Sequence, residues 1–166
     1  MANELCLSDF VEIPQKSLSV KEYREWICDV ESKINSNDQS VDRHNCEKAG
    51  FEIVNTITDG LYTRELRMPK GAVVVSRIHI KQHPFIIVSG KVSVYDGKNV
   101  DILTAPYKGI TQAGTKRILY VHEDTVWITF HPTDKNTMEE IDKNGEVTCD
   151  SFQDYEKVKG ELSWHG

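Results

Sequence analysis

From Phe51 onward the chain is written as short β-branched runs cut by glycine-containing turn signals, and that texture constrains the fold more than any other feature. Phe51 to Ile57 opens the series. Ala72 to Ile80, Phe85 to Ser89, Val92 to Tyr95, Val100 to Thr104, Arg117 to His122 and Thr125 to His131 continue it. These runs are rich in Val, Ile, Thr and aromatic residues, whose branched or flat side chains suit a pleated, half-buried surface. Asp59–Gly60, Pro69–Gly71, Ser89–Gly90, Asp96–Gly97 and Ala113–Gly114 stand between the runs as turn signals. Regular short strands divided in this way predict an antiparallel sandwich or barrel.

Ahead of this region the period changes. Ser19 and Glu22 have the spacing of a capping box, in which each side chain satisfies the other residue's backbone amide. Apolar residues follow at Val20, Tyr23, Ile27, Val30 and Ile34, which predicts an amphipathic helix over 20–34. Such a helix either caps the barrel or mediates dimerisation. Residues 1–18, with Pro14, read as an extended arm, and 35–45 as a polar loop. Met138 to Lys143 predicts a short helix, and residues 144–166 read as a polar tail with Trp164 near its end. The organisation expected is one domain: arm and helix over 1–50, barrel over 51–135, and a C-terminal helix or tail over 136–166. A length of 166 residues suits a single domain.

Charge narrows the choice of partner. Twenty Lys and Arg against 26 Asp and Glu give a net charge of -6, which argues against general DNA binding. A local cationic pocket for a small phosphorylated ligand remains compatible with it. No run approaches the ~18 apolar residues of a membrane span, and the N-terminal segment carries charges throughout, with no signal-peptide core. The expectation is a soluble, cytoplasmic protein without a membrane partner. Cys6, Cys28, Cys46 and Cys149 form neither a CxxC pair nor a zinc-knuckle spacing, so they read as reduced structural thiols.

Around residue 80 the spacing of Gly71, Arg77, His79, His83 and Gly90 resembles the first motif of the cupin superfamily. That motif runs Gly, five residues, His-x-His, three or four residues, Glu, six residues, Gly. Here Arg77 replaces the first His and His83 stands where the Glu would be. Pro106, Gly109 and Gln112 resemble the second motif, with one extra residue and Gln112 at the His position. The resemblance covers roughly residues 60–132 and implies a mainly β, antiparallel cupin-type jelly-roll barrel carrying the N-terminal amphipathic helix. It also implies a metal site of three His and one Glu. This chain offers His79, His83 and Gln112 beside the repelling Arg77, so no metal cofactor is expected. If a divalent metal does bind, its ligands are His79 and His83. Met68 to Gly71, Ile78–His79, Ala105–Pro106, Ala113 to Arg117 and Glu123 to His131 also resemble small cupin-like proteins of tailed phages and prophages, for which the compartment is the host cytoplasm.

Strand alternation gives the cavity lining a testable form, because residues two apart share a face. Thr125, Trp127, Thr129 and His131 fall on one face, and Val126, Ile128 and Phe130 on the other. Arg77 and His79 share a face, with His83 returning on a neighbouring strand. Further back, Lys116, Ile118, Tyr120 and His122 oppose Arg117, Leu119, Val121 and Glu123, and the pattern does not say which set faces inward. His44 and His165 read as surface residues.

The candidate catalytic residues are His79, His83 and His131, and the candidate ligand- or phosphate-binding residues are Arg77, Lys116, Arg117, Trp127, Thr129 and Gln112. Imidazoles with pKa values near 6.5 can move protons at neutral pH. Guanidinium and ammonium groups stabilise phosphoryl charge, and an indole can stack a base. The reading is a phage-type cupin that binds and hydrolyses a phosphorylated nucleotide, such as a cyclic mono- or dinucleotide antiviral signal, by metal-independent His acid–base chemistry. Two alternatives stand beside it. One is a conventional cupin enzyme, either a metal-dependent oxygenase or a sugar isomerase or epimerase. The other is a non-catalytic virion or host-inhibitor protein, with a barrel filled by side chains and the 20–34 helix as the contact; a homo-oligomer is compatible with each.

Overall fold

In the computed structural model, which describes residues 7–41, 45–143 and 145–163, the short runs assemble around two long strands. Helix α1 (Val20–Asn35) precedes β1 (Glu52–Thr58), β2 (Leu61–Met68), β3 (Val73–Val75), β4 (Ile78–His79), β5 (His83–Tyr95), β6 (Val100–Thr104), β7 (Tyr107–Thr111) and β8 (Ile118–Pro132). The helix α2 (Met138–Lys143), the strand β9 (Thr148–Cys149) and the helix α3 (Phe152–Ser163) follow. Strands β5 and β8 pair with each other, and each changes its outer partner part-way along. The first part of β5 pairs with β7 and the second with β6. The start of β8 pairs with β3 and the remainder with β2, on which β1 lies. All these pairings are antiparallel. Two layers result, β1-β2-β8-β5-β7 and β3-β8-β5-β6, continuous through the long strands. Met68, Phe85, Ile87 and Trp127 from one layer meet Val92, Val94, Leu119 and Val121 from the other. The mainly antiparallel β architecture expected from the sequence is the one observed.

Several local expectations are corrected. Ser89–Gly90 is not a turn between strands; it lies within β5, where the register with β8 shifts between Ile87 and Val92. The core-facing residues are Phe85 and Ile87 before the shift and Val92 and Val94 after it, so the bulge exchanges the two faces of the strand. Gly90 has φ +92°, and a Cβ there would meet the Asp124 carbonyl oxygen at 2.5 Å as well as Thr125 Oγ1. The runs 117–122 and 125–131 likewise fuse into β8. Ala72 to Ile80 instead divides, because β4 leaves the barrel and pairs with β9, setting His79 opposite Thr148. The supposed tail contains β9 and α3, whose Phe152, Tyr155 and Val158 pack on Ile78 and Ile80.

The helix caps the barrel. Ser19 Oγ accepts the Glu22 amide at 3.3 Å, and the Glu22 carboxylate accepts the Ser19 amide at 2.8 Å, which closes the capping box. Ile27 and Val30 bury against Tyr95, Ile118 and Tyr120. Strand β8 is thus covered on both faces, by α1 on one and the barrel interior on the other. A strand buried on two sides carries no alternation to say which set lies inside. Lys116 belongs to the helix side: its Nζ donates to Glu31 Oε1 at 2.8 Å, with the lysine side chain only 2% exposed. The expected phosphate contact from Lys116 is therefore corrected to a helix-docking ion pair. Tyr23 reinforces the joint by donating its hydroxyl to the Lys116 carbonyl at 2.7 Å.

Cys149 is buried, Cys46 half-buried and Cys28 exposed, with Cys28 and Cys149 as free thiols. Cys6, His44, Trp164 and His165 lie outside the described residues. Among those described, no helix is long and apolar enough to cross a membrane.

Replacing Glu31 with Ala leaves the Lys116 ammonium buried without its partner. The expected loss of stability is roughly 2 kcal/mol, below the ~3–5 kcal/mol of a fully buried pair because Glu31 is partly in water. Urea unfolding checks this, and an unchanged midpoint contradicts the docking role.

Candidate functional site

A cavity of about 310 Å³ opens among β1, β2, β3 and β8, with α2 and β9 at its rim. Register explains its wall. Arg64 pairs with Thr129 and Leu66 with Trp127 across β2 and β8, while Val74 pairs with Leu119 across β3 and β8. Each of these six residues lines the space, joined by Asn55, Met68, Arg77, His79 and Arg117. Met138, Asp142 and Thr148 lie at the rim. One part of the lining is consequently aliphatic and aromatic, and the other carries guanidinium, imidazole, amide and hydroxyl groups.

Three imidazoles run from the cavity wall into the protein. His79 lines the cavity; the His83 ring centroid is 4.7 Å from it, and the His131 centroid 4.3 Å beyond that. Tyr62 stacks on His131 at 5.5 Å. His83 Nδ1 lies 3.0 Å from the Lys81 carbonyl oxygen, and His131 Nε2 lies 2.9 Å from Thr129 Oγ1. Burial holds all three below the usual imidazole range. For His79 the shift is large, with His83 and Arg117 adding to it. His83 is lowered despite the opposing Lys81 carbonyl. His131 is pushed down to about 3, with His83 and Arg64 contributing after burial. At neutral pH the three rings are neutral.

The cations are arranged differently. Arg117 Nη2 donates to Thr111 Oγ1 at 2.6 Å, and its guanidinium stands 5.1 Å from the Trp127 ring and 5.4 Å from that of Phe85. Burial lowers its pKa to about 10, which leaves it charged. Arg64 Nε donates to the Tyr62 hydroxyl at 2.8 Å, and that hydroxyl donates to Asn55 Oδ1 at 2.7 Å. Among the described residues neither Arg64 nor Arg117 forms an ion pair with a carboxylate. Arg77 does, through Nε to Asp150 Oδ1 at 2.8 Å. In a chain of net charge -6, three guanidinium groups against the Asp142 carboxylate line one space.

Of the residues singled out from sequence, Arg77, His79, Arg117, Trp127 and Thr129 line the cavity together. His83 and His131 sit behind its wall. Gln112 does not reach it: the side chain is exposed, and its Oε1 accepts from Gln82 Nε2 at 2.8 Å. Trp127 is stacked on Phe85 with centroids 4.4 Å apart, so part of its surface is already covered. Asn55 escaped the sequence reading because β1, although expected as a strand, is not read for its faces, and Arg64 because no strand is expected over β2. Tyr62, Arg64, Leu66 and Met68 alternate there, and an arginine within an otherwise apolar or aromatic set is the signal that marks the position.

The donor set does not fit a three-His, one-Glu metal centre. His79 Nδ1 and His83 Nε2 are buried without a hydrogen-bond partner, but His131 Nε2 is engaged by Thr129 and the guanidinium groups oppose a cation. Among the described residues no group of three His, Cys, Asp or Glu is arranged to hold a metal ion.

Because the folded imidazoles titrate below about 6.5, the unfolded chain binds more protons between the folded values and 6.5. Their stabilising contribution is full above pH 6.5 and is lost as the pH falls towards about 3, the folded value for His131. The slope is about 1.4 kcal/mol per pH unit for each titrating ring. Urea unfolding at pH 6.5 and 4.5 should show a His131→Gln variant losing roughly 2–3 kcal/mol less than the parent over that interval. Equal losses contradict burial of a neutral His131.

No protein-family model matches the chain, and no curated protein matches it. Similar solved structures include a cupin-2 domain containing protein from Shewanella frigidimarina, 12% identical with a TM-score of 0.42, covering 56% of this chain and 95% of that one. An acetylacetone dioxygenase from Acinetobacter johnsonii is 17% identical with a TM-score of 0.44, over 50% of this chain and 60% of the dioxygenase. KdgF from Halomonas sp. is 16% identical with a TM-score of 0.45, over 61% and 92% of the two chains. These likenesses cover half to three-fifths of this chain, and the mainly antiparallel β architecture is what its own strand pairing shows.

Proposed function

We propose that the cavity binds a small phosphorylated ligand of about one nucleotide in size, and that His79 hydrolyses a cyclic phosphodiester there without a metal. The observation that carries this reading is the convergence of Arg64, Arg117, Trp127 and a neutral His79 on one space of about 310 Å³. Guanidinium forks suit phosphate oxygens, and a cation held away from water attracts an anion strongly. The aliphatic wall and Trp127 suit a base, and the volume suits a mononucleotide better than a dinucleotide.

In the proposed reaction His79 takes a proton from water as the water oxygen bonds to phosphorus. The ester P–O bond breaks, and the imidazolium returns the proton to the departing ribose oxygen, giving a linear phosphomonoester. Arg64 and Arg117 stabilise the charge that builds on the phosphoryl oxygens. One ring serves as base and then acid, since His83 and His131 do not line the cavity. The resemblance to small phage proteins favours a cyclic nucleotide antiviral signal of the host as the substrate. The open cavity and the buried apolar face of α1 weigh against the filled-barrel alternative.

Incubating the protein with cyclic mono- and dinucleotides in excess EDTA, followed by mass analysis of the small molecules, tests the proposal. A linear mononucleotide is the expected product, with turnover lost in His79→Ala while its melting temperature is retained. The acid limb of kcat/KM should lie below pH 6.5, because burial keeps His79 neutral there. Ligand bound but uncut overturns the hydrolytic step. Absence of both binding and cleavage overturns the nucleotide reading, and activity lost on chelation points to the conventional cupin alternative.

A further inference from the structure

We infer that His83 is a positioning residue that fixes the tautomer of His79, holding the proton on His79 Nδ1 and leaving the Nε2 lone pair for the cavity. The first step is local. A carbonyl oxygen only accepts, so the 3.0 Å contact between His83 Nδ1 and the Lys81 carbonyl requires the His83 proton on Nδ1. A neutral imidazole has one N–H, and His83 Nε2 is therefore a lone pair. That nitrogen is buried and has no hydrogen-bond partner, on a residue only 2% exposed.

The adjoining ring has the complementary deficit. His79 Nδ1 is also buried without a partner, and the two rings stand 4.7 Å apart at 47°. Two orphaned polar atoms in one buried place carry a desolvation cost that a shared hydrogen bond removes. His131, on the other side of His83, has its Nε2 occupied by Thr129 at 2.9 Å. Of the ring nitrogens flanking His83, His79 Nδ1 is the one that is both fully buried and without a partner. The rings as placed leave these two atoms unbonded; in the inferred pairing His83 Nε2 accepts, so His79 donates from Nδ1. The guanidinium groups of Arg64 and Arg117 disfavour a second proton on either ring.

The consequence rests on the proposed role of His79, whereas the tautomer itself does not. A base needs its lone pair directed at the reacting proton, and the less common Nδ1–H form supplies it at Nε2. His83 thus does for His79 what a hydrogen-bond acceptor behind a catalytic histidine does elsewhere.

Long-range ¹⁵N–¹H correlation spectra of the ligand-free protein at pH 7 test this without reference to turnover. Both His79 and His83 are expected as Nδ1–H tautomers. In His83→Phe, His79 should change to the Nε2–H form and turnover should fall roughly a hundredfold or more with KM little changed. His83→Gln, which retains an acceptor, should recover part of the loss. An Nε2–H His79 in the parent protein overturns the inference, even if the variants do not fold. An unchanged His79 tautomer in folded His83→Phe also overturns it. The expected tautomers in a protein that cuts no nucleotide support the positioning role and overturn the proposed function alone.

Discussion

The exchange of faces at Gly90 is the constraint on which the rest of the structure depends. Without the bulge, the alternation that puts Phe85 and Ile87 inside would turn Val92 and Val94 outward. The second layer would then lose its apolar contribution to the core, and the cavity would lose the packing behind its wall. Glycine is needed there because its φ is positive and because the Asp124 carbonyl crosses where a Cβ would stand. One residue with no side chain allows two long strands to serve both layers.

The site extends this arrangement into chemistry. Strand β8 passes its odd-numbered residues Leu119, Trp127 and Thr129 to the interior, as does Arg117 just ahead of it, while Ile118 and Tyr120 go beneath α1. Burial then acts in opposite ways on two kinds of base. Guanidinium is basic enough to stay charged when desolvated, as Arg117 does with its pKa lowered to about 10. Imidazole is not, so His79, His83 and His131 become neutral under the same influence. A cavity with fixed positive charge and a neutral proton acceptor follows from placing these residue types under one low-dielectric roof.

Much of this was legible in the sequence. The capping box located α1, and the alternation of Trp127, Thr129 and His131 gave the inward face of β8 directly. Those elements carry strong local signals: a reciprocal side-chain cap and a polar–aromatic period of two. Lys116 was not legible, because it lies just ahead of a strand buried on both faces and its partner Glu31 lies 85 residues away in sequence. Gln112 followed from motif spacing, which does not specify where a side chain points. The strand β2 escaped because Arg64 interrupts its apolar face and Glu65 and Arg67 make the run polar, although Arg64 proves to line the cavity. The separation of β4 from the barrel depends on β9, a two-residue strand whose pairing no local pattern announces.

The central proposal is that the cavity recognises a phosphoryl group through Arg64 and Arg117, which form no ion pair with a carboxylate among the described residues. The most direct measurement compares thermal stabilisation of the protein in EDTA by cyclic mononucleotides and by their parent nucleosides at matched concentrations. A ligand that binds only the native state raises stability as the logarithm of its concentration. The account predicts stabilisation by at least one cyclic nucleotide, little by its nucleoside, and loss of the difference in Arg117→Met. Equal responses to nucleotide and nucleoside, or a phosphate-dependent response that survives in Arg117→Met, would contradict it.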